Sequence, residues 1–171
     1  MSARLLIAAA IATGMTAAAE AHVTLETREA PADSYYKAAF NVGHGCKGSP
    51  TVRIRIRIPD GVVAVKPQPK TGWELAIIRG KLAKPYSDGH GGMISEGVTE
   101  VTWSGGKLLD EHFDQFILRA KLPNQPNSVM YFPVVQECEQ GAHRWIEIPA
   151  EGKTLGDYKE PAAALKLTPK P

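Results

Sequence analysis

The residues with the most distinctive chemistry lie at Ala19-Glu20-Ala21-His22. Ala19-x-Ala21 is a small-residue cleavage site of the signal-peptidase kind, and a cut after Ala21 makes His22 the first residue of the mature chain. A terminal histidine offers one metal ion two nitrogens, the α-amine and the ring Nδ1, in a single chelate ring. While Ala21 is attached, the first of these is an amide and the chelate does not exist. Planar nitrogen donors suit Cu(II) better than other biological divalent ions. The amine must shed its proton to bind, and its reference pKa of about 7.7–8.0 lets copper displace that proton at neutral pH. Two nitrogens leave equatorial positions that a carboxylate would fill. Glu26 and Glu29 are both near enough in sequence. Glu26 is in strand register with His22, whereas Glu29 lies past that strand, before Pro31, and could fold back. Spacing does not choose between them. A cut after Ala19 would place Glu20 first and remove the site, and many exported chains begin with an arbitrary residue.

The rest of the chain must export and position these groups. Residues 1–21 read as a signal peptide: Arg4 is the positive start and Leu5 to Ala19 the apolar run, too short and too rich in alanine for a membrane span. The expected location is therefore the periplasm or the exterior. The mature chain would be residues 22–171, long enough for one domain with a sizeable core. Its net charge is +2, and losing Arg4 and Glu20 leaves that unchanged. A balance so near neutrality gives no reason to expect nucleic acid or an anionic membrane as partner. No second apolar stretch of membrane length follows, so no membrane anchor is expected. Cys46 and Cys138 are the two cysteines. In an oxidising compartment two thiols more often pair than stay free, and the long loop this bridge closes is worth about 4–5 kcal/mol in the chain-entropy model. The alternative is a pair of copper or redox thiols.

The dominant pattern is β. In Thr51-Val-Arg-Ile-Arg-Ile-Arg-Ile58, Val52, Ile54, Ile56 and Ile58 fall on one face and Arg53, Arg55 and Arg57 on the other, which predicts a half-buried strand with a solvated basic face. Shorter strands are predicted at 23–26, 36–42, 62–65, 73–78, 98–103, 113–122, 129–135 and 144–148. Gly, Pro, Asn and Asp clusters separate them, as in Pro67-Gln-Pro-Lys-Thr-Gly72 and Pro123-Asn-Gln-Pro-Asn127. Many short strands between such turns predict an all-β sandwich or barrel. Gly106–Glu111 is read as a helical turn, 87–92 as an exposed loop, and residues 151–171 as an irregular tail with a short helix over 162–167.

Four further histidines are read as structural or solvated before ligand. His44 sits two residues before Cys46 and His143 five after Cys138, so a disulfide would bring both near it; a second metal site there has no spacing signature. His90 lies in a Gly-rich loop, and His112 beside Asp110 and Glu111 suits a salt-bridged surface group. No Ser-His-Asp or Cys-His nucleophile spacing and no P-loop type glycine motif is present. No Met-rich stretch exists among the four methionines, which disfavours a dedicated Cu(I) site.

Read together, His22-Val-Thr24, Gly43-His-Gly-Cys46, Ile58-Pro-Asp-Gly-Val62, Lys66-Pro67, Gly72-Trp73, Trp103-Ser-Gly-Gly106, Asp114-Gln-Phe116, Tyr131-Phe-Pro-Val-Val-Gln136 and Trp145-Ile-Glu147 resemble the YcnI-like family of exported bacterial proteins, over roughly residues 22–150. Each motif alone is weak; their order is specific. The resemblance implies a single-domain immunoglobulin-like or cupredoxin-like β-sandwich over 22–150. It also implies one Cu(II) in a monohistidine brace, with His22 giving amine and ring nitrogen, Glu29 an oxygen, and Trp145 lying beside the metal. The family pattern thus selects Glu29 over Glu26. An indole face near a cation contributes cation–π attraction and shields the site from water, although without the resemblance Trp145 reads as a core aromatic like Trp73 and Trp103.

The expected function is a copper chaperone or carrier in copper homeostasis, without enzymatic activity, handing its cargo to a transporter or another periplasmic copper protein. One competitor is a copper oxidoreductase of the lytic-monooxygenase kind, which needs a second histidine at the metal where the resemblance supplies Glu29. Another is a metal-free interaction sandwich in which His22 is incidental.

Overall fold

The computed structural model describes residues 22–88 and 91–170. The expected signal peptide and His90 lie outside the described residues. The elements are β1 (Thr24–Leu25), β2 (Glu29–Pro31), β3 (Tyr35–Val42), β4 (Thr51–Arg57), β5 (Val63–Pro67), β6 (Glu74–Ser87), β7 (Met93–Leu108), β8 (Asp114–Lys121), β9 (Val129–Phe132), β10 (Val134–Cys138), β11 (Ala142–Trp145) and β12 (Ala163–Thr168), with one 3-10 turn at Leu155–Asp157. They form three sheets, in the orders β1-β3-β8-β5, β11-β10-β4-β7-β6 and β2-β12-β9. No helix among the described residues is long and apolar enough to cross a membrane.

Alternation explains the layers. Tyr36, Ala38, Phe40 and Val42 of β3 face Phe116, Leu118 and Ala120 of β8 on one inner surface, and Ile54, Ile56, Val101, Trp103 and Val134 form the opposing one. Trp103 meets Phe116 between the two larger sheets at 5.6 Å, and Phe40 meets Phe132 of β9 at the same distance. Each such side chain contributes about 1.5–3 kcal/mol by leaving water. The Trp103 indole N–H donates to the Gln68 carbonyl at 3.0 Å, so its one polar atom is satisfied in the core.

β4 follows its sequence pattern except at one end. The β4–β10 and β4–β7 registers both shift at Val52, so Thr51, not Val52, is fully buried; a bulge residue reverses the facing of whatever precedes it. On the outer face Arg53 and Arg55 share Glu137 at 2.7 and 3.2 Å, which makes the basic stripe an exposed ion-pair cluster.

Three expectations are corrected. β6 and β7 form one long hairpin, 14 and 16 residues, where short strands were expected. Gly106–Glu111 holds no helix: β7 runs on to Leu108 and a turn follows. The tail is neither irregular nor helical at 162–167. Residues 163–168 form β12, antiparallel to β9 and parallel to β2, with Leu165 and Leu167 fully buried. The sandwich therefore runs past residue 150 and needs this strand for its third sheet. Cys46 and Cys138 are bridged, with S–S 2.03 Å and Cα–Cα 6.0 Å.

Candidate metal centre

His22 opens the described chain immediately before β1. Val23 and Leu25 are buried while His22 and Thr24 are half-buried, so the histidine sits on the outward register of a strand whose other face is anchored. β1 is held by β3, through Thr24↔Asn41 and Leu25↔Phe40. His22 borders a cleft of about 470 Å³, together with Leu25, Arg28, Tyr131, Pro161 and Lys166.

The His22 ring lies 5.2 Å from the Trp145 ring at an interplanar angle of 54°. Two residues 123 positions apart are thus brought together. Trp145 also satisfies the core reading, being 4% exposed and part of the main apolar cluster. Its indole N–H donates to Gln136 Oε1 at 3.0 Å.

Glu29 is placed differently. It lies in β2 beside β12, and its Oε1 accepts a hydrogen bond from Lys166 Nζ at 3.1 Å with both side chains more than half exposed. Glu26 is exposed and lies beyond the end of β1, so the shared strand face with His22 stops at Thr24. The Glu26 charge instead acts on the Tyr36 phenol. Burial, and then the Glu26 charge, push that hydroxyl up to about 12, and it donates to the Thr27 carbonyl, tying down the turn between β1 and β2. Among the described residues, no group of three or more His, Cys, Asp and Glu side chains is gathered to hold a metal. In kind, the amine that a cut after Ala21 would free, with an imidazole and a carboxylate, would nevertheless suit Cu(II).

Sequence reasoning missed Gln136 and Glu160. Gln136 is 1% exposed and makes three hydrogen bonds: Nε2 donates to the His44 carbonyl at 2.7 Å and to Thr51 Oγ1 at 2.8 Å, and Oε1 accepts from Trp145. The available signal was its register, since Val134, Gln136 and Cys138 alternate inward on β10. His143, two residues before Trp145 on edge strand β11, stacks on the indole at 4.8 Å and 23°, and His44 meets His143 edge-on at 5.9 Å. His143 Nδ1 lies 2.7 Å from Glu160 Oε1. Burial alone would raise the Glu160 pKa. Hydrogen bonds from His143 and the Arg144 backbone N–H, with their charges, outweigh it and hold the carboxyl below its ordinary value. His112 is an exposed surface group 3.8 Å from Glu111, as its neighbours suggested. Trp73 is half-buried against the core and Trp103 wholly buried.

The architecture is that of an immunoglobulin-like β-sandwich. A crystal structure of an uncharacterized protein from Nocardia farcinica, described as revealing an immunoglobulin-like fold, matches with a TM-score of 0.65 at 22% identity, over 86% of this chain and 98% of that one. The chain belongs to the family described as a domain of unknown function, DUF1775, whose model matches residues 22–167; this is the family of the YcnI-like proteins that the motifs resemble. No curated protein matches the chain.

Proposed function

We propose that the mature chain, cut after Ala21, binds one Cu(II) ion through the His22 amine and ring nitrogen, with Glu29 supplying an oxygen and Trp145 walling the site, and that it carries copper outside the cytoplasm. The observation that supports this most is the His22–Trp145 contact at 5.2 Å, which joins the two residues named from opposite ends of the domain. Each has its own anchor, His22 through β1 and Trp145 through Gln136, so a metal there would meet a fixed ring and a fixed wall.

Glu29 suits the role of an adjustable ligand. Its ion pair with Lys166 is exposed, and such pairs are worth about 0–1 kcal/mol. An arriving cation can therefore take the carboxylate at small cost, and a receiving protein can return it to Lys166. A carrier benefits from a site that lies half-exposed and is completed by a mobile ligand. Two nitrogens and one oxygen, without the second histidine of a lytic monooxygenase, favour transport over O2 activation.

Mass spectrometry of the exported protein, with and without copper, tests the cut and the stoichiometry together. The expected mature chain starts at His22 and gains one copper. A chain that keeps Ala21 ahead of His22 should lose tight Cu(II) binding; undiminished affinity in that chain would end the proposal. Glu29→Ala should weaken copper binding with the fold intact, and unchanged affinity would transfer the oxygen ligand to another residue.

A further inference from the structure

Beyond the proposed terminal site, edge strand β11 and the segment between β3 and β4 present a second set of donors. His44 meets His143 edge-on, with ring centroids 5.9 Å apart and ring planes at 80°. One ion about 2.0 Å from a nitrogen of each ring spans such a separation.

The proton placement on the two rings is what a metal ligand requires. His44 Nδ1 contacts the Gly45 carbonyl, which can only accept, so that nitrogen carries the proton. His143 Nδ1 meets Glu160 Oε1 at 2.7 Å, and the carboxylate is likewise an acceptor. In the neutral form of each ring this places the proton on Nδ1 and leaves the lone pair on Nε2. No described residue hydrogen-bonds Nε2 of either ring. Histidines that ligate metals commonly donate their other ring N–H to a carboxylate or a backbone carbonyl, and here one ring has each.

Both rings are also held from behind. The His44 carbonyl accepts from buried Gln136, the Gly45 N–H donates to Asp110 Oδ1 at 2.9 Å, and Cys46 is bridged to Cys138. His143 is clamped between the Trp145 face and Glu160. Its side chain is 22% exposed, so the pair is rigid yet reachable.

We propose that His44 and His143 form a second metal site, a two-imidazole site for copper or zinc, with Glu160 as the positioning residue for His143. Imidazole nitrogens select this class over calcium and magnesium, which take oxygen. The site needs no free amine, so it exists in the uncut chain as well as in the mature one.

The test uses the chain that retains Ala21 ahead of His22, in which the terminal chelate is blocked. Zn(II) alone and Cu(II) alone are titrated in, with stoichiometry from native mass spectrometry and ring assignments from NMR of the Zn(II) form. The expected result is one bound ion, with the imidazole resonances of His44 and His143 shifting and those of His22 unmoved. His44→Gln and His143→Gln should each lose the ion, at least 10-fold in affinity, with the urea midpoint checking that each variant folds. Glu160→Gln should weaken binding about 10–100-fold without abolishing it. No ion on the blocked chain, an ion retained in either histidine variant, or a Zn(II) shift at His22 overturns the proposal. The terminal copper site is judged separately, by the difference between cut and uncut chains.

Discussion

Gln136→Leu tests how much the buried amide holds together. Leucine fills nearly the same volume, so the cavity cost is small and the loss is one of hydrogen bonds. Three contacts vanish: to the Trp145 indole N–H, the His44 carbonyl and the Thr51 hydroxyl. The Thr51 hydroxyl retains Cys138 Sγ at 3.8 Å as a weak partner. The indole N–H and the His44 carbonyl have no such substitute, and stranding a buried polar group costs about 1–3 kcal/mol. Two stranded groups give about 2–6 kcal/mol. The half-buried His44 loop can recruit water to its carbonyl, which brings the expectation to about 3 kcal/mol. That is a large share of a domain's total stability and corresponds to a fall in Tm of about 6–12 °C at this size. Equilibrium unfolding in urea, followed by circular dichroism, reads it directly. Trp145→Phe removes the indole N–H, so it should cost less in the Gln136→Leu background than in the native chain, a coupling of about 1 kcal/mol or more. A loss below about 1 kcal/mol with an unchanged m-value would show that this network does not hold the indole.

Other perturbations probe the frame around the two sites. Cys46→Ser with Cys138→Ser opens a bridge between residues 92 apart and should cost about 4–5 kcal/mol in urea unfolding under oxidising conditions. Gly45→Ala would put a methyl 2.0 Å from the Ser49 carbonyl oxygen, inside the turn formed by Lys47 and Gly48 at positive φ, and should destabilise by more than about 2 kcal/mol while disturbing the His44 ring resonances. Tyr36 in the folded chain titrates near 12 against an ordinary 10.0. A raised folded-state pKa contributes stability that is intact below pH 10 and lost between 10 and 12. Tyr36→Phe should therefore flatten the alkaline limb of the stability profile and lose about 1 kcal/mol at neutral pH for the hydrogen bond to Thr27.

What was legible in the sequence followed from periodicity. The Ile54-x-Ile56 alternation fixed the inner face of β4, and the two cysteines fixed their own pairing. The long β6–β7 hairpin was not legible, because most of β6 is exposed and shows no alternation, and Gly80, Pro85 and Gly97 read as breaks. The Ala162–Leu167 stretch is rich in Ala, Leu and Lys, the strongest helix formers. It becomes a strand because β9 and β2 each offer it a ladder, and packing outweighs local preference. For the proposed site, the pairing of His22 with Trp145 came from the family resemblance alone. No spacing rule links residues on β1 and β11, and the histidine pair at 44 and 143 depends on the β10–β11 register and on the disulfide that returns the His44 loop to it.

The three residues of the proposed copper site differ in how firmly the fold holds them, and this separates binding from folding. Trp145 is a core side chain at 4% exposure, stacked on His143 and bonded to Gln136, so its replacement by alanine should cost about 3–5 kcal/mol whether or not metal is present. Glu29 is more than half exposed and joined only to Lys166 among the described residues, so Glu29→Ala should change stability by less than about 1 kcal/mol. A carrier needs this division: a rigid wall keeps the site's shape between cycles, and a loosely paired carboxylate lets the ion enter and leave. Lys166→Gln sharpens the distinction. Removing the competing ammonium should strengthen Cu(II) binding in a direct titration of the mature chain and leave the urea midpoint almost unmoved. Weaker binding in Lys166→Gln would mean that the lysine orients Glu29 for the metal instead of competing with it.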